Sequence, residues 1–226
     1  MLFHSSLKIL WLLCVTAALA TCGDAPKKDA ETLLRKGMAL KNQWAREEAI
    51  AVYDELDRRF GKSNLPKVRQ VVAKALLYKA VSLGRQGKAE GEIAVYEEID
   101  RRFGRDGSPD IHEVVVNALI YKGMSLDRKQ GRREEAIASY DEVDRRFGQD
   151  ASLDRRKQVF YALEHKGRAL ARQGRQEEAF AVYEEIVRRF GDDDAPEMRK
   201  WVAPMRWVLE ARDDEKQARG VQGTGR

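Results

Sequence analysis

"EEAIAVYDELDRRFG" (Glu47–Gly61) returns almost word for word as "GEIAVYEEIDRRFG" (Gly91–Gly104), "EEAIASYDEVDRRFG" (Glu134–Gly148) and "EEAFAVYEEIVRRFG" (Glu177–Gly191). Phe60, Phe103, Phe147 and Phe190 close the copies at spacings of 43, 44 and 43 residues. Catalytic residues rarely come in fourfold copies, so the phrase reads as a building unit. A period in this range marks a solenoid of stacked supersecondary units. The extra residue of the third unit falls in the turn beside Gly131, where "SLGRQGKAEGE" becomes "SLDRKQGRREEA", a place at which a chain tolerates insertion.

Each unit reads as two helices. Ile50, Tyr53, Leu56 and Phe60 lie three and four residues apart and so line one face of the second helix. The first helix repeats leucine, small residue, leucine: Leu33-Gly37-Leu40, Leu76-Ala80-Leu83, Leu119-Gly123-Leu126 and Leu163-Gly167-Leu170. The small residue lets a neighbour pack close. Gly87, Gly131 and Gly174 between the helices, and Gly61, Gly104, Gly148 and Gly191 after them, are expected to take the positive φ of a helix C-terminus. Ser108-Pro109 supplies a capping oxygen followed by a proline that needs no donor.

The order small residue, leucine, glycine turn, alanine, aromatic, helix stop resembles the tetratricopeptide repeat, carried by Gly37, Leu40, Ala49 and Tyr53 and by Gly167, Leu170, Ala179 and Tyr183. The resemblance implies an all-α, right-handed superhelical solenoid of antiparallel helix pairs. Three features depart from the family: Gly61, Gly104, Gly148 and Gly191 replace its terminal proline, Glu92 replaces the small alanine of unit two, and the period exceeds 34 residues. The surplus is placed at the start of the first helix, in "NLPKVRQVVAK", "SPDIHEVVVN" and "SLDRRKQVFY", and local irregularity is expected at Glu92.

The organisation that follows is a signal peptide over 1–21, a tether over 22–28, repeats over 29–61, 62–104, 105–148 and 149–191, a capping helix over 192–212 and a charged flexible tail over 213–226. Unit one is expected to lack the helical extension. Trp201, Val202, Met205 and Leu209 are expected to cover the last repeat, as terminal repeats require, with a kink at Pro204.

Lys8 followed by an apolar run from Ile9 to Ala20 is an export signal, shorter than the roughly 20 residues of a spanning helix. Ala18-Leu19-Ala20 fits an ordinary cleavage site before Thr21, while Leu19-Ala20-Thr21-Cys22 resembles the lipobox of bacterial lipoproteins. Cys22 would be the sole cysteine of the mature chain, which favours its acylation. The expected location is the periplasm or a membrane surface of a bacterial envelope.

The chemistry that can be excluded is broad. Only His112 and His165 follow the signal, in different units, so no catalytic or metal-binding convergence is expected. No phosphate-cradling glycine motif occurs and no cofactor is implied. The formal charge of +5 is distributed rather than clustered. Each paired arginine has an acid four residues earlier, as in Asp54 to Arg58 and Glu55 to Arg59, an arrangement that stabilises a helix by about 0.2–0.5 kcal/mol per pair and argues against a nucleic-acid stripe. Lys36, Lys79, Lys122 and Lys166 form a ladder that reads as a solvated rim, with an anionic polymer or lipid headgroup as its alternative partner.

The resemblance also places a binding groove. Family positions facing the concave side fall on Leu34, Met38, Leu77, Val81, Ile120, Met124, Tyr161, Glu164 and Arg168, with Lys74 and Asn117 beside them. The implied function is a non-catalytic scaffold or adaptor binding a protein or peptide there. A component of outer-membrane assembly, pilus or secretion machinery is the alternative. Self-association through the apolar groove is a further expected possibility.

Overall fold

The computed structural model describes residues 25–42, 45–129 and 131–223, with side chains to Ala218. These residues are all-α. A first helix α1 (25–42) is followed by α2 (Arg46–Phe60), α3 (Pro66–Arg85), α4 (Ala89–Phe103), α5 (Pro109–Asp127), α6 (Arg133–Phe147), α7 (Leu153–Arg172), α8 (Gln176–Phe190) and α9 (Pro196–Gly223). The chain divides into two compact units at Val114 and Val115, within α5. In the N-terminal unit α3 packs on both α2 and α4; in the C-terminal unit α7 packs on α6 and α8, and α8 on α9. Consecutive pairing of this kind is what a tetratricopeptide-like solenoid requires.

The recurring phrase forms the second helix of each pair. α2, α4, α6 and α8 are each 15 residues long, with glutamates in the first turn and paired arginines in the last, matching the helix dipole. Their apolar stripe is buried: Ala49, Tyr53 and Leu56 in α2, and Ala136, Tyr140, Val143 and Phe147 in α6. The first helices open earlier than the family's, with Pro66 and Leu153 in the first turn of α3 and α7. Ahead of them Ser63 Oγ accepts from the Leu65 N–H at 3.3 Å, and the carboxylates of Asp106, Asp150 and Asp193 accept from the N–H two residues on at 2.9–3.0 Å. These side-chain turns take up donors that the helix start leaves free. Ser108 acts through its backbone carbonyl, which accepts from His112 N–H at 2.9 Å.

Several expectations change. α1 begins at residue 25, inside the segment read as a tether, so unit one carries an extended first helix like the others. α9 continues through Pro204 to Gly223, across the segment read as a flexible tail. α4 is unbroken at Glu92, which is 5% exposed and accepts from the Tyr96 hydroxyl at 3.1 Å. Gly84 makes this possible, because a Cβ there would overlap the Glu92 carboxyl.

The glycines divide into two kinds. Gly87, Gly131 and Gly174 hold φ of +76°, +91° and +79°, as expected of the turn inside each hairpin. Gly61, Gly104, Gly148 and Gly191 instead sit at φ near −60°, −60°, −62° and −64°. At Gly61, Gly148 and Gly191 the role is close approach. Arg102 donates from Nη1 to Asp57 Oδ1 and from Nη2 to the Gly61 carbonyl, both at 2.8 Å, and Arg189 repeats this on Asp144 at 2.6 Å and Gly148 at 2.9 Å. A Cβ at Gly61 or Gly148 would lie about 3 Å from the incoming guanidinium.

The arginine pairs therefore split. The first arginine of each pair is held by a glutamate three residues earlier, as in Glu55–Arg58, Glu98–Arg101, Glu142–Arg145 and Glu185–Arg188. That spacing lets the planar fork meet both carboxylate oxygens, as in the two 2.8 Å contacts of Arg58. Of the expected four-residue pairs, Glu98–Arg102, Glu142–Arg146 and Glu185–Arg189 persist at 3.6, 3.7 and 3.9 Å, whereas Asp54 turns to Lys79.

Candidate functional site

The positions expected to line a groove are carried by the first helices, and the structure divides them. In the N-terminal unit Leu34 and Met38 of α1 and Lys74 and Val81 of α3 are half-buried, while Leu77 is only 8% exposed, because α3 is flanked by both α2 and α4. In the C-terminal unit Asn117 and Met124 are half-buried and Ile120 is 5% exposed, lying in the buried run of Val115, Val116, Ala118 and Leu119. The apolar surface is thus narrower than the sequence suggests.

The polar end of the series is internally bonded. Gln158 donates to Asn117 Oδ1 at 3.0 Å, and Arg168 pairs with Glu164 at 3.0 Å. Tyr161 is 42% exposed but packs against Trp201 of α9, ring centroids 5.1 Å apart, with Phe160 at 5.7 Å from the same indole. Trp201, Met205 and Leu209 are half-buried and Val202 is fully buried. Met198, not singled out from sequence, is also fully buried.

The lysine ladder is partly neutralised. Lys79 binds Asp54 and Lys166 binds Asp141, each at 2.5 Å, from the preceding second helix. Lys36 is exposed, and Lys122 half-buried. His165 stacks on Tyr140 at 5.8 Å, and burial holds its imidazole below the ordinary histidine range against the opposing pull of Glu164. It is a packing residue. Among the described residues no group of three or more His, Cys, Asp or Glu side chains is placed to hold a metal ion. No described helix is long and apolar enough to cross a membrane. Cys22 and the signal segment lie outside the described residues.

One surface feature was missed. Trp207 on α9 is 69% exposed, the largest value among the exposed large hydrophobics. It forms, with Phe180 of α8 and Val208 and Ala211 of α9, the apolar floor of a cleft of about 480 Å³ rimmed by Gln176, Glu177, Arg212, Glu215 and Lys216. Arg212 lies 5.1 Å over the Phe180 ring and binds Glu184 at 2.6 Å, which fixes one wall. A signal for it exists. Stepping the repeat once past Leu34, Leu77, Ile120 and Glu164 lands on Trp207, so α9 begins in the register of a first helix.

These features meet an independent finding: the sequence model of the tetratricopeptide repeat matches residues 161–193. The match starts within α7 and spans all of α8, leaving out the extension at the start of α7. No curated protein and no solved structure matches the chain. The chain is a repeat protein of the tetratricopeptide type, a class that generally lacks catalysis and mediates protein–protein binding.

Proposed function

We propose that the protein is an exported envelope scaffold that binds a peptide or protein partner through the exposed residues of its helical repeats, with Trp207 of α9 as an anchor in the C-terminal unit. The observation that supports this is Trp207, a tryptophan in the groove register left 69% exposed beside an apolar cleft. An isolated exposed indole next to an apolar notch is the composition of an interface anchor. Met38 and Met124, both half-buried in the same series, supply adaptable apolar surface. The signal segment supports export, and acylation of Cys22 would tether the chain to a membrane surface. Service in outer-membrane assembly, pilus or secretion machinery is the narrower form of this reading.

The test is a cross-linked capture from envelope extract, comparing the parent with Trp207→Ser and with Met38→Glu/Met124→Glu. Ile120 is left alone because its burial would confuse lost binding with lost folding. A partner held by the parent and lost by helical, monodisperse variants supports the reading. Equal capture by all three overturns it.

A further inference from the structure

The ends of the first helices carry one register with two different charge patterns. In the C-terminal unit Asp127 closes α5, and its carboxylate takes Arg172 of α7 together with Arg133 at 3.3 Å. The Asp127 side chain is 9% exposed, and it lies near the buried Tyr140, whose phenol is raised first by burial and next by the Asp127 charge.

In the N-terminal unit the residue at Arg172's place is Arg85, and the one at Asp127's place, from which its acceptor would come, is Lys41. A lysine thus stands where the other junction has an acid. Lys41 Nζ rests 4.6 Å over the Tyr78 ring, and Tyr78 packs on Tyr53 at 6.2 Å. The Tyr53 residue is fully buried, and its hydroxyl has no hydrogen-bond partner. Burial, with Tyr78 adding to it, pushes that phenol up to about 12, so it keeps its proton and can donate. Burial and then the charge of Arg85 hold the Lys41 ammonium below the ordinary lysine range. Neither Lys41 nor Arg85 is in an ion pair among the described residues. The cluster therefore offers two cations and an orphaned donor; its orphaned acceptor, Gln86 Oε1, is neutral, so no described group there balances the positive charge. An unpaired buried polar group is costly, and two cations that sense each other attract an anion.

We propose that Lys41, Arg85 and the Tyr53 hydroxyl form a binding site for a carboxylate, the group that Asp127 supplies from within the chain at the corresponding place in the C-terminal unit. A guanidinium takes both carboxylate oxygens in its planar fork, while an ammonium adds a point charge. An acidic side chain of a bound peptide and a free small carboxylate share this chemistry. The site stands on its own residues and does not require the surface around Trp207.

The full-length protein is titrated with N-acetylated, C-amidated Ala-Glu-Ala, with its Ala-Gln-Ala isostere, and with sodium acetate, all at constant ionic strength set with chloride. Binding is read from side-chain NMR shifts of Lys41, Tyr53 and Tyr78 and from the thermal midpoint. The expected result is saturable binding of the glutamate peptide or acetate and none of the glutamine peptide. Lys41→Asp supplies the carboxylate in cis, so it raises the thermal midpoint of the free protein and weakens the titration about tenfold or more. Arg85→Gln, at an exposed position, weakens binding without that rise, and it carries the test if Lys41→Asp fails to fold. An affinity for the peptide about tenfold above acetate assigns the site to a peptide side chain, and equal affinities assign it to a free carboxylate. No saturable shift, an equal response to the glutamine peptide, or undiminished binding in both variants overturns the proposal.

Discussion

The α6/α7 junction of the C-terminal unit and the α2/α3 junction of the N-terminal unit are built from the same repeat and end in opposite states. At the first, Asp127 gathers Arg172 and Arg133, Glu134 accepts from Gln173 at 3.0 Å and Arg175 at 2.9 Å, and His165 stacks on Tyr140. At the second, among the described residues, Lys41 and Arg85 are in no ion pair, Tyr53 Oη and Gln86 Oε1 are buried without partners, and the corresponding glutamate, Glu47, lines an open polar cleft with Gln86 and Lys88. A single backbone plan therefore yields one junction that satisfies itself and one that leaves donors waiting. A few charge-bearing positions decide which, since the apolar stripe beneath them is nearly the same.

The comparison breaks most severely if the closed junction is opened. Asp127→Lys copies the N-terminal arrangement into the C-terminal unit and leaves Arg133 and Arg172 without their shared acceptor. Because the Asp127 side chain is 9% exposed, the expected loss is about 2–3 kcal/mol in urea unfolding. A loss under about 0.5 kcal/mol would mean that the carboxylate contributes only as a surface pair.

The arginine clamps give the next largest effect, and here the two units should agree. Arg102 and Arg189 are 18% and 17% exposed and each makes two charge-assisted bonds, so replacing either by alanine should cost about 1.5–3 kcal/mol. Arg206 reaches the Gly191 carbonyl at 2.8 Å but is 47% exposed, with Asp192 only at 3.5 Å. Arg206→Ala should cost about 1 kcal/mol or less. Chemical denaturation of the three variants checks the order; equal losses would remove the distinction.

The smallest change sharpens the comparison by repair. Val187 occupies the place of Asp57 and Asp144, so the last second helix lacks the acceptor that the others offer. Val187→Asp should give Arg206 a closer carboxylate than Asp192 and raise the thermal midpoint by the equivalent of about 0.5 kcal/mol, a gain abolished by Arg206→Ala.

Much of the architecture was legible because it rests on local spacing. The apolar period of three and four, the turn glycines and the terminal helix all follow from one residue's relation to the next few. The reading failed where a partner 40 or more residues away decides the outcome. Gly61 and Gly148 look like ordinary helix stops, and the pattern does not show that Arg102 and Arg189 come in beside them, onto the same Asp57 and Asp144 that already crowd the place of a side chain. Trp207 was within reach of the repeat arithmetic, but its exposure was not. Leu77 and Ile120 stand in one register with Leu34 and Trp207, yet they are buried where Trp207 is exposed.

The sequence by itself determined the repeat unit, its two-helix composition and its turns, since hydrophobic period and glycine placement act within a few residues of chain. Tertiary structure alone decided which charges meet, which glycines admit an arginine, and which donors lack a partner. Those outcomes depend on distances between consecutive repeats, and a linear pattern that says the same phrase four times carries no measure of them.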